Sequence, residues 1–397
     1  MRAVWLVLLL AACATTADPC RDVTCADGAA CDRETGACPP APPVLPTLDE
    51  LDLGTATRAL PDADGGLLVV SRDREAGRVL TVRLDAQARV REARVVADVG
   101  DTDAFDAALD ATGRLYVLAP GDDGAGLVLC TPLEPERAPV VVPATSARRV
   151  RGTPSLAAAG DRLEAAFADE QGDLYTLRFE ATGAAPEPTR VVLADADAPA
   201  VLAEPQVRVF GAGRSYLFFV DESARTVRVA GRETGAWVPS SLLDDVRLTD
   251  GSTFAAGILP DGGLAALAVD GAGRLVLAER TATGVTQVVV DDGAGDEGLR
   301  PRVGAWPALA QGPDGRVLLG AFDVTAARYR AWTLGADGQP GAPRSIEGTL
   351  LAPALVAGAD GDVVVAGQPL VRGPLWVRRL AVLPLSTSAP SPVPRAP

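Results

Sequence analysis

The sequence predicts an all-β chain: a seven-bladed β-propeller preceded by a small disulfide-stapled module and a Pro-rich linker. Three observations carry that prediction. A strand–turn–strand unit recurs along the chain at a period of about fifty residues. Those units have no helical periodicity. Four cysteines crowd into one short segment ahead of the first unit.

The unit reads "DADGGLLVVSRD", "DATGRLYVLAPGDD", "AAGDRLEAAFADE", "GAGRSYLFFVDE", "LPDGGLAALAVD", "GPDGRVLLGAFD" and "GADGDVVVAGQP". Alignment on Leu67, Leu115, Leu163, Tyr216, Leu264, Val317 and Val363 gives steps of 48, 48, 53, 48, 53 and 46 residues. Four short strands fill such a step, and that is the size of a propeller blade. The sixth unit displays all four: "PALAQG" (A), "RVLLGAF" (B), "RYRAWTL" (C) and "APRSIEG" (D). Asp-Gly pairs stand between strands because Gly takes the positive φ that a tight hairpin needs. Neighbouring residues in strand B are often both apolar, as in "LLVV" and "AALAV", which fits a sheet packed on both faces. The seven units fill residues 48–385, and 386–397, "STSAPSPVPRAP" in its wider tract, reads as a disordered tail. A pair of β-sandwiches is the competing fold, and it does not explain the regular step.

The N-terminus sets the address. Arg2, an apolar run from Ala3 to Leu10 and then small residues make residues 1–12 a secretory signal peptide, too short to span a bilayer. The run ends in Leu10-Ala11-Ala12-Cys13, which resembles the lipobox of bacterial lipoproteins. The resemblance implies that Cys13 carries the lipid, that residues 13–19 form the tether, and that Ala14 directs the chain to the outer membrane. Cys20, Cys25, Cys31 and Cys38 follow in residues 20–38, a segment too small for a core of its own and best read as a disulfide staple. Three pairings are open. The spacing resembles small EGF-like or stalk modules of surface lipoproteins, and that resemblance implies the bridges Cys20–Cys31 and Cys25–Cys38. Residues 39–47, "PPAPPVLPT", are an extended Pro-rich spacer. Cys130, in "GLVLC", reads as a buried strand residue.

Composition narrows the function. The formal net charge is −15, and all 37 basic residues are Arg. A chain so acidic repels a polyanion, so nucleic acid is excluded as a partner. His is absent, which removes Ser-His-Asp, Cys-His and His-ligated zinc chemistry together. Any catalysis falls to carboxylates, Tyr or Arg.

Strand B ends in an acidic residue in six of the seven units: Asp73, Asp122, Asp169, Asp221, Asp270 and Asp323. The D-to-A loops add Asp101, Asp103, Asp195, Asp197, Asp244, Asp245, Asp291, Asp292, Asp296 and Glu297 to the same face. Such a ring would attract cations or a basic partner segment, or hold Ca²⁺ through carboxylate and carbonyl oxygens. The competing reading is that each Asp starts the B-to-C loop through an Asx-type turn. Arg148, Arg149, Arg151, Arg247, Arg300 and Arg302 lie in those loops and are expected to pair with the acids. No other cofactor is implied. The reading that follows is a non-catalytic envelope lipoprotein, held to the membrane by its lipid, whose propeller binds a ligand or an envelope or surface protein. The alternative is a carboxylate-dependent propeller hydrolase, acting on glycans or as a metal-dependent, lactonase-like enzyme.

Overall fold

The computed structural model describes residues 53–380 apart from 74–76, 98, 122–123, 125, 135, 143–148, 161, 180–185, 192–200, 211–213, 233–236, 248–253, 294–302, 349, 359–360 and 368–375. The chain divides into two units, Met1–Leu45 and Pro46–Pro397, and every described residue lies in the second. The signal peptide, Cys13, the four-cysteine segment, the Pro-rich spacer and the C-terminal tail therefore lie outside the described residues.

Hairpins are the first structures these residues dictate. Gly65, Gly113, Gly262 and Gly315 all have φ between 76° and 86°. Each donates its N–H to the carbonyl three residues earlier, and that earlier residue's N–H reaches the carbonyl just past the glycine, as in Asp110 to Arg114 at 3.1 Å. A type I turn closed by a residue in the left-handed region is the three-residue hairpin, and glycine occupies that position without strain.

The hairpins chain into small antiparallel sheets in sequence order. The first holds β1 (Leu53–Pro61), β2 (Leu67–Asp73), β3 (Arg78–Leu84) and β4 (Val90–Val95). The second holds β5 (Asp106–Leu109), β6 (Leu115–Pro120), β7 (Leu127–Cys130) and β8 (Val140–Val142). The third holds β9 (Val150–Ala159), β10 (Arg162–Asp169), β11 (Leu174–Phe179) and β12 (Thr189–Arg190). The fourth holds β13 (Leu202–Phe210), β14 (Arg214–Asp221), β15 (Thr226–Arg232) and β16 (Val238–Asp244). The fifth holds β17 (Phe254–Ile258), β18 (Leu264–Val269), β19 (Leu275–Thr281) and β20 (Gly284–Asp291). The sixth holds β21 (Val303–Gln311), β22 (Val317–Asp323), β23 (Arg328–Leu334) and β24 (Arg344–Glu347). The last holds β25 (Leu351–Gly358), β26 (Gly361–Gly367) and β27 (Trp376–Arg379).

The fold is an all-β propeller. The first strand of each sheet touches the first strand of the next, from β1 through β5, β9, β13, β17, β21 and β25, and β25 returns to β1. The expected seven four-stranded blades are corrected in number: six sheets are complete, and β25–β27 has three strands among the described residues. The repeat is carried by the second strand of each unit, and its period counts hairpins whether or not a fourth strand forms.

Packing follows from the two-sided second strand. In β18, Leu264, Ala266 and Ala268 belong to the apolar cluster shared with the fourth sheet, whereas Ala265, Leu267 and Val269 belong to the one shared with the sixth. Side chains alternate across a strand, so a continuous apolar run feeds two seams at once. The core is thus divided into wedges between sheets. Cys130 is buried in the wedge between the first two, with its thiol on the Val117 carbonyl at 3.6 Å, as the sequence implied.

The seam between the sixth and last sheets depends on a close approach. A β-carbon added at Gly320 would stand 2.1 Å from Tyr329 Oη and 3.0 Å from Leu355 Cδ2. Tyr329 is fully buried, its hydroxyl has no hydrogen-bond partner among the described residues, and burial pushes its phenol above the usual tyrosine range. Gly320→Ala is expected to destabilise the chain by about 1–3 kcal/mol through overpacking. Part of that loss should return in the Gly320→Ala/Tyr329→Phe double variant, because the phenylalanine removes the nearest clashing atom and the orphan hydroxyl together. Urea unfolding of the two single variants and the double variant measures the coupling; simple additivity would contradict it.

Candidate functional site

The strand-B acids come first, because the sequence singled them out. Asp73, Asp169, Asp221, Asp270 and Asp323 are all buried, and Asp122 lies outside the described residues. A buried carboxylate needs partners, and each of these finds them locally. Asp169 Oδ1 accepts the N–H groups of Gln171 and Asp173 at 2.9 Å. Asp221 takes the N–H of Ala224 and the Arg228 guanidinium. Asp270 takes the N–H and side chain of Arg274, and Asp323 takes two turn N–H groups and Arg330 Nη2 at 2.8 Å. Asp73 meets Arg78 at 3.3 Å. At Asp270, burial alone would raise the carboxyl, but the hydrogen bonds and charge of Arg274 outweigh it and hold the group below the usual carboxylate range.

The residues share a position in each sheet and are not brought together. Asp169, Asp221, Asp270 and Asp323 each hold their own B-to-C turn, and no cluster of three or more acidic, Cys or His side chains able to hold a metal ion occurs among the described residues. The loop acids behave similarly: Asp101 and Asp103 meet Arg72, Asp245 meets Arg225, and Asp291 meets Arg330. Arg151, expected in a loop, stands in β9 and pairs with Glu222 at 2.8 Å. Asp195, Asp197, Asp296, Glu297, Arg148, Arg300 and Arg302 lie outside the described residues.

The structure gathers a different set, on the innermost strands. Arg58 Nε on β1 donates to Asp106 Oδ1 on β5 at 2.9 Å, and Asp106 Oδ2 accepts the Leu156 N–H of β9 at 2.9 Å. Ser155 Oγ accepts the Val207 N–H of β13. Gln206 bridges β13 to β17 through both ends of its amide, donating to the Phe254 carbonyl and accepting the Ala256 N–H. Arg208 Nε donates to the Ala256 carbonyl at 2.9 Å. Partners in these bonds are 48 to 52 residues apart, so the sequence period reappears as a chain of hydrogen bonds along the inner wall. Inner strands of adjacent sheets form no ladder with one another, and these side chains take its place.

Among the described residues of this wall, Glu204 is a carboxylate outside these hydrogen bonds. Glu204 sits at a bulge of β13, where the pairing with β14 shifts between Ala203 and Gln206, and its backbone has φ of 50°. A left-handed non-glycine residue at a bulge is a strained position of the kind found at functional sites. The side chain is half-buried, with Oε1 beside Gly152 of β9. Burial pushes its carboxyl above the usual carboxylate range, against the opposing pull of Arg151 and Arg58. Arg208, half-buried on the same strand, is pulled below the usual arginine range by burial and by Arg58, although Asp106 acts the other way. Glu204, with Arg58, Arg151, Asp106 and Arg208, is the candidate site.

Of these residues the sequence pointed to Arg151 alone; Arg58, Asp106, Glu204 and Arg208 lie within strands, where acids and arginines at loop positions gave no lead. A signal was nevertheless present: Arg58 and Asp106 are spaced by one repeat and stand in a strand type that is otherwise small and apolar, as in "FAAGI" and "LAPALVAG".

No protein-family model matches the chain, and no curated protein matches it. Solved structures do. BBS1N, from its complex with ARL6DN, superposes with a TM-score of 0.53 at 11% identity over 83% of this chain and 92% of that one. A fungal alcohol oxidase in complex with copper gives 0.50 at 13% identity over 82% of this chain and 72% of that one. AofleA from Arthrobotrys oligospora gives 0.47 at 12% identity over 70% and 86%. At such identities the likeness extends to the propeller fold alone.

Glu204→Gln is expected to stabilise the protein at neutral pH. A carboxyl raised in the folded state favours folding below its unfolded value, and that contribution is lost as pH rises through the folded value. The amide escapes the loss. Melting temperatures of wild type and variant should therefore coincide near pH 4 and separate toward pH 8 with the variant higher; a constant offset would refute the assignment.

Proposed function

We propose that this protein is a lipid-anchored envelope protein, tethered to the outer membrane through Cys13, whose propeller is a non-catalytic scaffold for a protein or ligand. In this reading Cys20, Cys25, Cys31 and Cys38 staple a spacer, and β25–β27 serves as a seventh blade, packed between β21 and β1. The observation that carries the scaffold reading is the fate of the strand-B acids. Their oxygens are spent on turn N–H groups and Arg partners, so they set the shape of the B-to-C loops instead of offering ligands. Loops fixed in this way form a rigid face, and preorganised loops on a rigid scaffold suit recognition.

Two measurements test it. Metabolic labelling with palmitate should mark the wild type, while Cys13→Ser should lose the label and leave the membrane fraction. Affinity capture from solubilised membranes should recover a specific envelope component; recovery of nothing above background would count against the scaffold.

Glu204 favours a second reading, the carboxylate-dependent hydrolase. A carboxyl raised by burial above the usual carboxylate range suits a general acid. A panel of chromogenic glycosides and lactones decides between the two. If the wild type turns one over, Glu204→Gln should reduce kcat by about 10²–10⁴-fold, and that result would replace the scaffold reading.

A further inference from the structure

Away from the inner wall, three guanidinium groups converge on one carboxylate. Glu164 of β10 is buried, and its Oε1 accepts from Arg162, from Arg178 Nη2 at 3.1 Å and Nε at 3.2 Å, and from Arg232 Nη2 at 3.5 Å. Arg162 opens β10 and Arg178 stands near the end of β11. Arg232 closes β15 in the next sheet, so the cluster straddles the seam between the third and fourth sheets. It sits at the end of these strands opposite to Asp169 and Asp221, among the A-to-B and C-to-D turns.

The described residues hold the cations in place without neutralising them. Arg162 also donates to Ser215 Oγ at 2.9 Å, yet its Nε is buried with no hydrogen-bond partner among the described residues. The Arg232 guanidinium lies 4.7 Å from the centroid of the buried Trp237 ring, which fixes its plane. Arg178 is half-exposed and leaves the cluster open to solvent. One carboxylate among three guanidiniums leaves two positive charges in excess among the described residues, in a partly buried setting where like charges repel strongly. Burial and that repulsion pull both Arg162 and Arg232 below the usual arginine range. Guanidinium forks with donors to spare match the oxygens of a carboxylate, sulfate or phosphate.

We propose that Arg162, Arg178 and Arg232 form a binding site for a small oxyanion group, with Glu164 as the internal anion that orders them. The bound group, a carboxylate, sulfate or phosphate, would approach past Arg178. The site shares no residue with the Glu204 cluster, so either reading stands if the other fails.

Thermal unfolding of the full chain in sodium phosphate, sodium sulfate and sodium glucuronate, against sodium chloride at matched ionic strength, tests the site. At least one of these anions should raise the melting temperature along a saturating curve at millimolar or lower concentration, and the three arms distinguish the class of anion. General salting-out by sulfate or phosphate does not saturate there. Arg178→Gln, on the open side, should weaken the saturating response about tenfold or more, the loss of a charge-assisted contact. Line broadening of inorganic phosphate in ³¹P NMR, with wild-type protein competed by sulfate, reads binding without any variant. Asp161, Glu180 and Glu233 are close in sequence and lie outside the described residues. No saturating response to any anion in the wild type would overturn the proposal and assign the compensating charge to the chain itself; a response unchanged in Arg178→Gln would overturn it as well.

Discussion

The packing of each second strand on both of its faces is the constraint from which the rest of the structure follows. A strand such as β22, buried along its whole length, has to meet apolar surface on either side, and one sheet cannot supply both. Leu318 packs into the seam with the last sheet and Leu319 into the seam with the fifth. Closing the sheets into a ring satisfies every second strand with no outer layer. Each buried Leu or Val contributes about 1.5–3 kcal/mol, and these contributions are distributed over the seams. No single core dominates.

Closure in turn creates the inner wall and its chemistry. First strands of neighbouring sheets come together without a backbone ladder, so their side chains have to satisfy the polar groups they leave there. Arg58, Asp106, Ser155, Gln206 and Arg208 do this along the arc from the first sheet to the fifth. From β17 onward the wall is mainly small and apolar, and Gly257 lets Leu309 approach closely. The seam between the sixth and last sheets adds a buried ion pair, Arg344 to Asp362 at 2.8 Å. Glu204 stands out because its neighbours are otherwise saturated: a half-buried carboxylate on a strained backbone, among arginines already engaged elsewhere.

The same economy separates the two kinds of acid. Asp at the end of strand B is repeated because a B-to-C hairpin needs an acceptor for its turn N–H groups and a partner for the strand-C arginine. Arg228 and Arg330 fill that second role against Asp221 and Asp323. Repetition in a repeat protein therefore marks what every unit needs in order to fold. Residues that differ from unit to unit, Glu204 in one bulge and the arginine cluster at one seam, are where a particular ligand can be recognised.

Much of the fold was legible in the sequence by itself. Leu67, Leu115, Leu163, Tyr216, Leu264, Val317 and Val363 all fall on second strands, and the Asp-Gly pairs fall on hairpins, because turn chemistry and strand periodicity are local properties. The two-sided apolar runs also announced sheets packed on both faces. Three things needed the tertiary structure. Fourth strands are partly exposed and some, such as β8 and β12, are very short, so their pattern is weak, and the last sheet shows three strands among the described residues where four were expected. The acids at the ends of strand B could be read as Asx-type turn residues or as a ring of ligands, and hydrogen bonding gives Asp169, Asp221, Asp270 and Asp323 to their own turns. Glu204 beside Arg58 and Arg151, and Glu164 among three arginines, are contacts between sheets. They join residues tens of positions apart, and only closure of the ring decides which charges meet.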